Sequence, residues 1–333
     1  MTFDKISRYS ILEEFSKQGY VNTYHAIDSR TGLDRLLTVY DFIDLNTSAL
    51  FNQISVEAKK VAQLDHPGIP CITDIDINEQ KLYVCTDYAE GERFDLSIEK
   101  HGDDKDNALI QVQIAQLSKV IDFAHRQGIV HHDLVPDNII VGSNHVWLIN
   151  FYSVNAMTSS VFIDVTKARY IPPEVWKGES VTSASNIYSF ACIVYEAIAG
   201  RPLVDGESIG KIREKHLSSN VELIENLSNV NDEFRRNLIQ CLNQDPGMRL
   251  SSTHHLVNED IFTSLTVRFV KTGPKLDNAA MQELLYRLKT KHGMTYRELL
   301  SVYLTMDMAV EKGNLTNDII DYLKRNPDMV SKF

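Results

Sequence analysis

Two rhythms of apolar and polar positions divide this chain. Over residues 8–90 the apolar positions come in short runs rich in β-branched and aromatic residues. "LLTVYDFI" at 36–43 and "KLYVCTDYA" at 81–89 are the clearest, and both predict strands. One helical stretch interrupts them. "LFNQISVEAKKVAQL" puts Phe51, Ile54, Ala58, Val61 and Leu64 on a single stripe, and "DHPGIP" ends it. From about residue 92 the period becomes helical. "ALIQVQIAQLSKVIDFAHRQG" predicts a long amphipathic helix closed by Gly128. "ASNIYSFACIVYEAIAG" predicts a nearly all-apolar helix closed by Gly200. "HVWLINF" reads as a short strand between them. "DEFRRNLIQCLNQDP" reads as a further amphipathic helix stopped by Pro246.

After "KTGPK" at 271–275, which reads as a linker, three more helices are predicted. Met281, Leu284, Leu285 and Leu288 share one face, and Gly293 ends it. Thr295 and Glu298 form a capping box, with Met294 and Leu299 as a staple. The last helix starts at Thr316 and halts before Pro327. No repeat or low-complexity tract is visible.

Composition narrows the function classes. With 333 residues and 43% hydrophobic positions, the chain fills one large domain or two ordinary ones. A formal net charge of -11 argues against nucleic-acid binding, which needs a basic face. The acidity belongs to the first part, since residues 271–333 hold 10 Lys and Arg against 8 Asp and Glu. The first ten residues, "MTFDKISRYS", lack the apolar stretch of a signal peptide, and the longest apolar run, 190–200, is too short to span a bilayer. A cytoplasmic protein without a membrane partner is expected. Cys71, Cys85, Cys192 and Cys241 form no C-x-x-C pair, so neither zinc nor redox chemistry is indicated.

The candidate chemistry lies in "IVHHDLVPDNIIVGSNHVWLINFYS", residues 129–153. His131, His132, Asp133, Leu134, Val135, Pro136, Asp137 and Asn138 resemble the H-R-D-L-x-x-x-N catalytic loop of protein kinases, and "YIPPEVW" with Glu174 resembles the end of an activation segment. Order and spacing over residues 9–262 resemble a eukaryotic-type Ser/Thr protein kinase domain of the bacterial kind. The resemblance implies an α+β, bilobal fold. A β-rich N-lobe would span about 1–90 and a helical C-lobe about 91–265, with a helical accessory region after them at 266–333.

It also implies roles. Asp133 would accept the substrate hydroxyl proton and Asn138 would hold magnesium, unless both now only brace their loop. Thr86 would be the gatekeeper, and the backbone of Asp87 and Ala89 would meet an adenine ring. Glu57 would be the helix glutamate. Glu174 and Arg249 would pair structurally, and Asn186 would stand where an aspartate braces the catalytic loop. A small-molecule phosphotransferase shares the H-x-D loop, but Glu174 and Arg249 favour the protein-kinase branch.

The departures are concerted. Ser16, Gln18 and Val21 fall where the three phosphate-loop glycines belong, with Gly19 off register. Tyr40 aligns with the strand lysine, and Lys17 is the nearest substitute. Val135 replaces the lysine beside the γ-phosphate. Asn150 replaces the aspartate that binds magnesium, and a neutral amide is a poor ligand for that hard cation. His132 replaces the arginine that reads a phosphorylated activation segment, so hydroxyls at Thr158, Ser159, Ser160 and Thr166 are not expected to act as a switch. The sequence therefore reads as a pseudokinase, a regulatory or scaffolding module for a protein partner. The alternative is an active ATP-dependent Ser/Thr kinase with a non-standard metal and phosphate site. No metal site and no cofactor are expected; ATP would bind weakly, without magnesium. Partner identity and oligomeric state stay open.

Overall fold

The computed structural model describes residues 5–18, 21–41, 47–78, 81–101, 108–142, 145–152, 163–218, 224, 227 and 230–257. The three tail helices, the linker and the accessory-region boundary lie outside the described residues, as do Thr158, Ser159 and Ser160.

Six strands form the first layer. They are β1 (Lys5–Ile6), β2 (Tyr9–Gln18), β3 (Val21–Asp28), β4 (Asp34–Tyr40), β5 (Ile72–Asn78) and β6 (Lys81–Asp87), antiparallel in the order β1-β2-β3-β4-β6-β5. Side chains on a strand alternate between faces, and β4 shows what this achieves. Leu37 and Val39 pack with Tyr9, Ala26, Tyr83 and Cys85 on one face. Tyr40 on the other face packs with Leu82 and Val84 under helix α1 (Thr47–Val61), against Phe51, Ile54 and Ala58. Leu36 and Thr38 share that second face by the same period.

The rest is mainly helical. β7 (Glu92–Arg93) leads into α2 (Phe94–His101) and α3 (Ala108–Arg126). β8 (Ile139–Val141) and β9 (Val146–Leu148) complete a small sheet of order β7-β8-β9. Short helices α4 (Val165–Ala168) and α5 (Pro173–Trp176) precede α6 (Ser183–Ala199), α7 (Ile209–His216) and α8 (Asp232–Cys241). α6 is the axis of this lobe. Its Ile187, Tyr188, Phe190, Ala191, Ile193 and Val194 are all buried in one large core with α3. Thr182 and Ser185 form its capping box. Gly200 ends it at φ +66°, the left-handed conformation that costs glycine least.

α8 stops at Cys241, earlier than Pro246 suggests. Beyond it the Asn243 carbonyl accepts from Arg249 Nε at 2.9 Å and the Asn243 Oδ1 accepts from the Asp245 N–H at 2.9 Å. No helix among the described residues is long and apolar enough to cross a membrane.

Candidate functional site

The site is built on the loop between α3 and β8. Gly128, at φ +72°, turns the chain out of α3, and Asn186 of α6 grips the loop at His131. The Asn186 Oδ1 accepts from the His131 N–H at 2.8 Å and its Nδ2 donates to the His131 carbonyl at 2.7 Å. His131 is buried, with Nε2 2.8 Å from the Ile149 carbonyl and Nδ1 3.2 Å from the Asp133 N–H. These partners select the neutral ring with its proton on Nε2. Burial lowers its pKa to about 4. The ring stands edge-on to Phe151 at 4.7 Å.

From there a chain of polar side chains crosses the interior. Asn138 Nδ2 donates to the Asp133 carbonyl at 2.8 Å. Asn138 Oδ1 accepts from Asn150 Nδ2 at 3.0 Å, and Asn150 Oδ1 accepts from the Thr38 hydroxyl at 2.9 Å. Thr23 lies 3.4 Å beyond Thr38, hydroxyl to hydroxyl. Asn150 is 8% exposed and sits at φ +61°, a conformation that asparagine tolerates better than most residues. At the other end Lys167 Nζ is 2.6 Å from Asp133 Oδ2, with both side chains 10% exposed.

Asp133, Asn138 and Asn150 are thus brought together, and two residues not singled out from the sequence join them. Thr38 is one. Tyr40 does not face Asn150; it packs under α1, edge-on to Tyr152 at 6.5 Å. The side chain opposite Asn150 is Thr38, two residues earlier on the same face, so the strand register read at Tyr40 is corrected to Thr38. The shift restores no lysine, because none occurs from 36 to 46. A polar residue inside an apolar run was the available signal. Lys167 is the other. It is the only lysine between Gln127 and Lys177, but its pairing with a residue 34 positions away leaves no local pattern.

The remaining candidates sit elsewhere around this bridge. Val135 is buried in the C-lobe core. Ser16 pairs with Thr23, and the β2–β3 ladder is zipped up to Gln18 opposite Val21, with Lys17 opposite Asn22. Val21 packs against the Tyr40 cluster. Glu57 pairs with Lys60 at 2.7 Å. His132 has its pKa lowered by burial, against the field of Glu57. Thr86 donates to the Asp87 carbonyl at 3.1 Å, the Asp87 N–H donates to the Cys71 carbonyl at 2.9 Å, and the Asp87 carboxylate pairs with Arg35. Ala89 is buried with Leu36, Ile140 and Ile149. Leu36 therefore fills space beside the segment that would receive adenine.

Glu174 and Arg249 form a buried bidentate pair, both arms at 2.7 Å. The side chains are 4% and 0% exposed. Burial pushes the Glu174 carboxyl up, but the Arg249 hydrogen bonds and charge outweigh it and hold the pKa below the ordinary range.

Among the described residues, no group of three or more His, Cys, Asp or Glu side chains is arranged to hold a metal ion. The donors that magnesium prefers are anionic oxygens. The site offers the Asp133 carboxylate, which is paired with Lys167, and two amides whose oxygens accept from neighbouring side chains. These residues do not fit a magnesium-bound triphosphate. Their arrangement suits a fixed, neutral bridge between β4 and the loop at 131–138.

The family model for the protein kinase domain matches residues 42–262, about two thirds of the chain. The chain belongs to the protein kinase domain family. A protein of Lactococcus lactis named probable serine/threonine-protein kinase PknB is 25% identical over 84% of this chain and 44% of its own length. The serine/threonine-protein kinase PrkC of Bacillus subtilis is 27% identical over 64% of this chain and 33% of its own. The serine/threonine-protein kinase PknB of Mycobacterium tuberculosis is 27% identical over 63% and 35%. The chain thus spans less than half the length of these curated relatives.

Proposed function

We propose that this kinase-family protein is catalytically impaired and works as a regulatory or scaffolding module that binds a protein partner. The observation that carries the reading is Asn150. A metal aspartate would leave its oxygens to the ion. Here the amide oxygen accepts from Thr38 and the amide nitrogen donates to Asn138, both in the interior. Neutralising the transferred phosphate is most of the electrostatic work in phosphoryl transfer. Asn150, Thr38 and the buried Val135 all withhold charge from it. The proposal includes a cytoplasmic setting and a protein partner, not nucleic acid or membrane, in keeping with the net charge of -11.

Three observations favour a second reading, an active ATP-dependent Ser/Thr kinase with a non-standard site. Asp133 and Asn138 persist, an ammonium lies 2.6 Å from Asp133, and the PknB and PrkC relatives are named as kinases.

Thermal unfolding of the full chain with ATP, alone and with magnesium or manganese, separates the two when paired with label transfer to a generic protein substrate. No metal-dependent shift and no transfer are expected. A metal-dependent shift together with transfer refutes impairment. Affinity purification with the full chain and with residues 1–265 then tests for a protein partner and whether the C-terminal region recruits it.

A further inference from the structure

The last part of the activation segment, residues 163–176, is tied down at successive side chains, each to a different support. Asp164 Oδ1 caps α4 by accepting the Lys167 N–H at 2.8 Å. Lys167 Nζ reaches Asp133. The Arg169 guanidinium holds Asp205 Oδ1 with two bonds, 3.1 and 2.9 Å. The Tyr170 hydroxyl donates to Glu196, and the Tyr170 carbonyl accepts from Ser189 at 2.8 Å. Glu174 meets Arg249. Of these ties, only the Lys167 contact reaches the loop at 131–138.

A phosphate on this segment would need a cation to receive it, and the position that resembles the receiving arginine is His132. Burial lowers the pKa of His132, and its Nδ1 has no hydrogen-bond partner among the described residues. Thr166, the hydroxyl within α4, is exposed, whereas its neighbour Lys167 is buried.

We propose that Lys167 is a built-in latch. Its ammonium on the Asp133 carboxylate holds the end of the activation segment against the catalytic loop without phosphorylation. The contact is charge-assisted and shielded from water, so it resists both thermal exchange and salt better than an exposed pair. The inference goes beyond the proposed function. A latched segment is compatible with a module that binds partners and with one that transfers phosphate.

Hydrogen exchange of the full chain, monitored by mass spectrometry over residues 163–176, tests it. The parent is compared with Lys167→Met, Lys167→Ala, Asp133→Asn and the double variant Lys167→Met/Asp133→Asn, with α6 at 183–199 as the internal control. Losing one partner of a buried charged contact is expected to speed exchange of 163–176 about ten- to a hundredfold while α6 keeps its protection. The double variant is expected to exchange no faster than the faster single. Thr166→Glu, Thr166→Ala and phosphatase treatment are expected to change nothing.

Unchanged exchange in Lys167→Met overturns the proposal, and so does acceleration by phosphatase. Should Lys167→Ala fail to fold, Lys167→Met, which keeps the apolar stem, carries the comparison. If any label transfer is measurable and Lys167→Met abolishes it while leaving exchange at 163–176 untouched, Lys167 is a catalytic group and not a latch.

Discussion

Replacing Asn150 by aspartate looks like a repair, since it restores the residue type that the family uses for metal. The geometry says that it destabilises. The two side chains have nearly the same shape, so packing hardly changes. The hydrogen bonds do change. The outer oxygen that replaces Nδ2 would face Asn138 Oδ1 at about the present 3.0 Å, acceptor against acceptor. Asn138 is hindered from turning its amide round, because Nδ2 already donates to the Asp133 carbonyl at 2.8 Å. Thr38 supplies one hydrogen bond and no charge. The lysine of the site, Lys167, is on Asp133.

A buried carboxylate with one of its oxygens opposed costs about 2–4 kcal/mol. For a domain of this size that is a fall in Tm of roughly 5–15 °C. The carboxyl could instead hold a proton and imitate the amide, but at pH 8 that costs about 5.6 kcal/mol against an ordinary Asp pKa near 3.9. At pH 5.5 it costs only about 2 kcal/mol. The new group has a raised pKa in the folded protein, so the folded state binds more protons and the penalty grows with pH. Scanning fluorimetry of parent and Asn150→Asp in metal-free buffer at pH 8 and pH 5.5 measures both effects. Equal stability at pH 8, or a loss no smaller at pH 5.5, would refute the role given to the neutral bridge.

Three further outcomes are expected. Arg249→Ala strands the Glu174 carboxylate in the interior and should cost about 3–5 kcal/mol, read from the urea midpoint; a loss below about 1 kcal/mol would mean that the pair is replaceable by water. His131 and His216 are buried with pKa values lowered to about 4, so the unfolded chain binds more protons between about pH 4 and 6.5. Stability should climb over that window by up to about 1.4 kcal/mol per pH unit for each ring, and a flat profile by urea titration contradicts their burial as neutral rings. Leu36→Ala should cost about 2–4 kcal/mol and open a hollow against Ala89, Ile140 and Ile149. Adenosine should then raise the Tm of the variant more than that of the parent, and equal rises would show that Leu36 does not occupy the space.

How much of this was legible in the sequence depends on whether a residue's meaning is local. α3 and α6 were legible because an apolar stripe and a terminal glycine, Gly128 and Gly200, are properties of adjacent residues. The early end of α8 at Cys241 was not, since a proline such as Pro246 marks only the latest point at which a helix can stop. The strands of the β-rich layer were legible as strands. Which residue of β4 would face Asn150 was not: period two puts Leu36, Thr38 and Tyr40 on one side, and the choice among them is made by a partner 112 positions away. Lys167 is the same case, with 34 positions between it and Asp133.

These two residues also change what the departures from the kinase pattern mean. Read one at a time, Asn150, the missing strand lysine and Val135 are subtractions of charge. Placed together, they are complementary. The Thr38 hydroxyl donates to the Asn150 oxygen, the Asn150 nitrogen donates to Asn138, and Lys167 gives Asp133 a cation from another element while Val135 is absorbed into the core. A site that had merely decayed would leave buried polar atoms without partners, at about 1–3 kcal/mol each. Along the Thr38–Asn150–Asn138 bridge the amide groups are instead satisfied by neutral partners. Charge can therefore return to it only in concert: a carboxylate at 150 needs a cation opposite, which a threonine at 38 does not supply. The stability of Asn150→Asp with and without Thr38→Lys then measures that coupling, and additive effects of the two changes would show that the bridge does not act as a unit.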